Sequence, residues 1–191
     1  MPLLPLLLLS TLLLGACQPQ SLTTRPETPA VLLPAAAVDL AALPAPEQLG
    51  RWRLDGDVVS SDQRLLHYRH SDGWQVQVAV QGFPGGWELM TPQRAVASFY
   101  GQQRALMAAR LPAIWPRPLP WQQEQIEQLP QRPFPLFSGM VAAEPGQLWL
   151  LVSAQNGLFV RVYSSDLDRD GLAPLLWALI DSLAGSASTD A

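Results

Sequence analysis

Three aspartates alternate in Asp166-Leu167-Asp168-Arg169-Asp170-Gly171, and carboxylates at that spacing followed by glycine match the first half of a calcium loop. Asp166, Asp168 and Asp170 would give side-chain oxygens and Leu172, at the seventh position, a backbone carbonyl, so calcium is the one candidate cofactor. The twelfth position holds Trp177 where a bidentate glutamate belongs, which places any affinity in the weak extracellular range of about 10⁻⁴ to 10⁻³ M. The competing account is an acidic lead-in to a helix, where negative charge offsets the helix dipole. Other reactive residues are sparse. His67 and His70 lie on an expected strand, three positions apart, so they face opposite sides and do not share a metal without a bend. With a single cysteine, Cys17, no Cys/His zinc set can be assembled. There is no Gly-x-Ser-x-Gly elbow, and Glu124 and Glu127 sit in a glutamine-rich stretch where solvation accounts for them. Gly82-Phe83-Pro84-Gly85-Gly86 is interrupted by a proline and lies too far ahead of Thr91-Pro92 to cradle phosphate at a helix start. No catalytic residue is assigned.

Composition narrows the field further. All 12 basic residues are arginine, which excludes a Schiff-base lysine, a phosphate-loop lysine and the lysine of protein kinases. The formal charge of −4 comes without a basic block, so the electrostatic footprint of a nucleic-acid binder is missing. The aromatic residues are the better candidates for a partner surface. Phe83 and Trp87 flank the glycine-rich loop, and Trp115 and Trp121 lie in the proline-rich run "LPAIWPRPLPW". Indoles give large contact area with a polar handle, which suits an envelope protein or a glycan. Against that, a domain of this size needs large core residues, and all four side chains fit that role.

The lone cysteine ends the apolar run Leu3 to Leu14. About a dozen apolar residues is too short to span a bilayer, which takes roughly 20, but fits the core of a secretory signal. Leu14-Gly15-Ala16-Cys17 resembles the lipobox of bacterial lipoproteins, a resemblance confined to this leader. It implies that the Cys17 sulfur carries diacylglycerol, that the chain is cut before Cys17, and that the new amino terminus is acylated with a fatty acid such as palmitate. Two or three acyl chains give stable membrane attachment where one is marginal. Gln18 stands where an aspartate would mark inner-membrane retention. The resemblance therefore implies a Gram-negative outer-membrane lipoprotein with its domain facing the periplasm. The segment before the apolar run, Met1-Pro2, departs from the pattern in having no Lys or Arg.

Four parts are expected: a signal peptide over 1–16, a lipidated cysteine and Pro/Ala-rich tether over 17–48, one domain over 49–185 and a disordered tail over 186–191. Within the tether, Ala35 to Leu43 is apolar enough to dock on the domain as a short helix. Trp52 and Leu54 alternate with arginines ahead of a turn-prone Asp55-Gly56-Asp57. Past Ser71-Asp72-Gly73, Val76, Val78 and Val80 alternate with Gln75, Gln77 and Ala79, the pattern of a hairpin with a valine face in the core. Thr91 caps a helix with Pro92 at its first position, Val96, Phe99, Tyr100, Leu106 and Met107 on one face, and an end near Leu111. Strands follow near Ile126, over Leu136 to Ala143, Gln147 to Ala154 and Leu158 to Tyr163, with turns at Glu144-Pro145-Gly146 and Asn156-Gly157. A final helix of about a dozen residues carries the stripe Leu175, Leu176, Leu179, Ile180 and Leu183. The order predicts an α+β fold, an antiparallel sheet of about six or seven strands with two helices packed on it. Three functions fit these signals: a lipid-anchored, non-catalytic interaction domain, a weak calcium-binding module, or an envelope hydrolase without a recognisable motif.

Overall fold

The computed structural model describes residues 38–111, 119–143 and 146–186 of the chain. Cys17, Gln18, Trp115 and the turn residues Glu144 and Pro145 lie outside the described residues. Among the described residues, eight strands form one antiparallel sheet: β1 (Gln48–Leu49), β2 (Trp52–Val59), β3 (Arg64–His70), β4 (Gln75–Gly82), β5 (Trp121–Glu127), β6 (Leu136–Ala143), β7 (Gly146–Gln155) and β8 (Leu158–Ser164), in the spatial order β1-β2-β3-β4-β8-β7-β6-β5. Helices α1 (Pro92–Arg110) and α2 (Arg169–Ser186) complete an α+β domain. The sheet has more strands than expected because two residues, Gln48 and Leu49, pair back onto β2. No described helix is long and apolar enough to cross a membrane.

β7 and β8 are nearly continuous apolar runs because both of their faces are covered. Leu151, Val160 and Val162 point to α2, packing with Leu172, Leu176, Leu179 and Ile180. Their neighbours Leu150, Val152 and Phe159 point to α1, packing with Ala95, Val96 and Phe99. Strands buried on two faces lose the polar alternation that one-sided strands keep. β4 keeps it, with Val76, Val78 and Val80 buried under α2 and glutamines on the other face. The β7–β8 hairpin turns at Asn156 and Gly157, both at positive φ (50° and 76°), the conformation that an Asn-Gly pair tolerates best.

Three boundaries differ from the sequence expectation, each for a local reason. Asp55-Gly56-Asp57 is a register shift inside β2 rather than a turn; pairing continues to Val59 opposite Arg64, and the chain reverses at Ser60–Gln63, where Ser60 N–H donates to the Gln63 carbonyl at 2.9 Å. α2 starts earlier than its apolar stripe because Asp168 Oδ1 accepts from Gly171 N–H at 3.0 Å and caps it. The packed region also begins before residue 49. Leu40 is buried in the α2-side core, within a turn at Asp39–Ala42 rather than a helix.

Candidate functional site

α1 covers only part of its sheet face. Its first half buries Val96, Phe99 and Tyr100 over β6, β7 and β8, while the same face of β2, β3 and β4 carries polar groups and stays open. A trough of about 630 Å³ runs there, lined by Asp55, His67, Gln75, Gln77, Tyr163 and Ser165. Strand register puts His67 opposite Gln77, and Gln77 opposite Tyr163. The three are linked side chain to side chain: Tyr163 Oη donates to Gln77 Oε1, and Gln77 Nε2 lies 3.4 Å from His67 Nε2. Trough polarity thus comes from the one-sided strands, and Tyr163 marks where the apolar centre of the sheet begins.

A narrower cleft of about 120 Å³ adjoins the trough along the second half of α1. Leu106, Met107, Leu111, Leu148 and Leu150 give it apolar walls, and it shares Leu148 and Tyr163 with the trough. Arg161 lies at its base. This residue is 6% exposed, and its guanidinium donates to Gln103 Oε1 and, at 2.9 Å, to Gln63 Oε1. Gln103 is buried too, on the α1 face that turns to the sheet. Among the described residues, two of the five guanidinium N–H groups are so used, and Nε is buried without a hydrogen-bond partner. The Tyr163 ring lies 5.9 Å beneath the guanidinium, a cation–π arrangement that partly replaces lost hydration. Burial lowers the Arg161 pKa from the usual guanidinium range; Tyr163 opposes that shift and the charge of Arg110 adds to it. Arg110, exposed at the end of α1, also lines the cleft. Among the described residues, neither guanidinium is ion-paired to a carboxylate.

The residues singled out from sequence are dispersed. Asp168 is committed to the α2 cap, Asp170 bonds Arg169 at 3.1 Å, Asp166 accepts from Ser165, and Leu172 is fully buried inside α2. Among the described residues no three His, Cys, Asp or Glu side chains gather as metal ligands. The histidines do point to opposite faces. His67 borders the trough, and His70 is stacked on Trp74 at 4.9 Å, with Trp52 edge-on at 4.8 Å. Glu124 is ion-paired to Arg104 at 2.7 Å, and Glu127 to Arg169.

Phe83, Trp87 and Trp121 are half-buried and have partners within the domain. Phe83 stacks on Phe159 at 4.2 Å, Trp87 meets the same ring edge-on at 5.6 Å, and Trp121 lies 5.0 Å under the Arg104 guanidinium. Arg161, Gln103 and Tyr163 were not picked out by motif. Their one sequence signal is an arginine inside the apolar strand Leu158-Phe159-Val160-Arg161-Val162-Tyr163, a position where charge is costly unless it is used.

Together these features define a concave face of mixed polarity on an antiparallel α+β sheet. No protein-family model matches this chain, and no curated protein matches it.

Proposed function

We propose that this chain is a lipid-anchored cell-envelope lipoprotein, held in the outer membrane through Cys17, whose periplasm-facing domain binds an envelope component without transforming it. Support for the anchor is the lipobox resemblance of Leu14-Gly15-Ala16-Cys17 behind its apolar run, with Gln18 after it. Support for binding is one observation: the sheet face beside α1 is left open, and its polar groups are already oriented by each other through the Tyr163–Gln77–His67 chain. Preset side chains lower the ordering cost of holding a ligand. Their amide, phenol and imidazole groups suit recognition, and the trough adjoins an apolar wall, the usual composition of a binding site.

The test places a photoreactive residue at Gln77, in the trough, and separately at Ile126, exposed on β5, then irradiates intact cells. The proposal expects a discrete adduct from position 77 that is absent from position 126. Equal adducts from both positions, or none from position 77, would contradict it.

A further inference from the structure

We infer that the cleft beside the trough is an anion site for a single-chain carboxylate amphiphile, its head on Arg161 and Arg110 and its first carbons against Leu106, Met107, Leu148 and Leu150. This deepens the binding function proposed above and rests on it.

The charge balance of the cleft calls for an anion. Arg110 and Arg161 both line one small cleft, and the described residues bring no carboxylate into an ion pair with either. A charge out of water is expensive unless it is paired. Arg161 meets that cost with two neutral glutamine oxygens and the Tyr163 ring, and its Nε is buried without a partner. Asp62, the closest acid by its effect on Arg161, is hydrogen-bonded to Ser60 instead, at 2.8 Å. A planar carboxylate matches the donor fork of a guanidinium better than a compact spherical anion does.

The walls select what the anion is attached to. Five aliphatic side chains surround the two arginines, so a fully hydrated anion would leave that surface wetted without gain. At about 120 Å³ the cleft is smaller than the roughly 150 Å³ cavity that takes one benzene. It therefore has room for the first few carbons of one chain and none for a second chain beside it. The remainder would pass Tyr163 and Leu148 into the larger trough. A two-chain phospholipid does not fit this description.

The experiment uses the full chain in its own membranes. A diazirine-bearing octanoate is photolysed on them beside the matching diazirine-bearing octanol, and adducts are mapped by mass spectrometry. The inference expects acid-derived adducts on peptides from α1 and β8, at least tenfold above the alcohol and competed by plain octanoate. Arg161→Gln should remove the acid's advantage. Because that side chain is buried, two further variants keep the result decisive: Arg110→Gln, at an exposed position, should reduce the advantage several-fold, and Gln103→Glu, which sets a carboxylate on Arg161, should abolish it. Equal labelling by acid and alcohol would reduce the cleft to an unselective apolar surface and overturn the inference. So would labelling displaced by anionic phospholipid vesicles as readily as by octanoate. If octanoate fails while the Gln77 crosslink persists, the ligand class is wrong and the binding function stands; loss of both removes both.

Discussion

Arg64 donates to the carbonyl of Leu40, 24 residues upstream, at 3.1 Å. The same guanidinium donates to the Leu43 carbonyl and holds Asp57 through Nε at 2.9 Å and Nη2 at 2.6 Å. Tyr68 Oη adds a bond to the Pro46 carbonyl at 3.0 Å. One arginine thereby sews the approach segment to the sheet and lets Leu40 enter the core. Asp57→Asn should cost about 1–3 kcal/mol, the range for a charge-assisted hydrogen bond with a buried partner, measured by chemical denaturation.

That prediction carries a pH signature. The bond from Arg64 lowers the Asp57 pKa below its ordinary value, so its contribution is present above the ordinary carboxylate range and is lost as pH falls through the lowered value. Burial pushes Tyr68 up to about 12, so its contribution is full below the ordinary tyrosine range and is lost as pH rises towards 12. Wild type should lose stability at both ends. Asp57→Asn should flatten the acid limb and, because the Asp57 charge also helps to raise Tyr68, change the alkaline limb to a smaller degree; an unchanged acid limb would contradict the role given to Asp57.

Gln103→Glu should raise the melting temperature. Exchanging a neutral acceptor for a charged one beneath Arg161 gains about 1 kcal/mol, which for a domain of this size is a rise of about 2–4 °C. A fall would mean that the guanidinium does not need an anion.

Gly139 should not tolerate a methyl group. A Cβ there would overlap Tyr100 Oη, and that hydroxyl is held by Glu124 at 3.2 Å. Gly139→Ala should cost about 1–3 kcal/mol as overpacking. Adding Tyr100→Phe should recover part of that loss, a non-additivity that a double-mutant cycle reads directly. Strict additivity would show that the contact does not exist.

Asp168→Ala should cost about 1 kcal/mol, the usual value of an N-cap, because Asp168 Oδ1 accepts from Gly171 N–H. The cost should be the same with calcium and with chelator. A calcium-dependent rise in the wild type that Asp168→Ala removes would favour the calcium-loop account over the cap.

What was legible in the sequence was local. Thr91-Pro92 announced α1, where the Thr91 hydroxyl accepts from Arg94 N–H at 3.4 Å. The glutamine–valine alternation announced a one-sided β4, and Asn156-Gly157 the β7–β8 hairpin. Asp55-Gly56-Asp57 misled because an Asp-Gly pair fits a register shift as well as a turn, and only pairing with β3 decides between them. The aspartate run was ambiguous for a similar reason, since a helix cap and a calcium loop draw on the same residue type. The site itself was hidden by distance. Gln103 and Arg161 are 58 residues apart, and nothing in either neighbourhood says that α1 lies across β8. A polar residue on an otherwise apolar helix face and an arginine in an apolar strand each read as an exception. They explain each other only once packed.

Cys17 carries the central proposal, that the chain is held to the membrane by lipid. Cells given labelled palmitate and expressing the full chain test it most directly. The account predicts that the wild type incorporates label and migrates at the processed size, while Cys17→Ser remains unprocessed and unlabelled. Equal labelling of the two, or an unlabelled wild type, would contradict it.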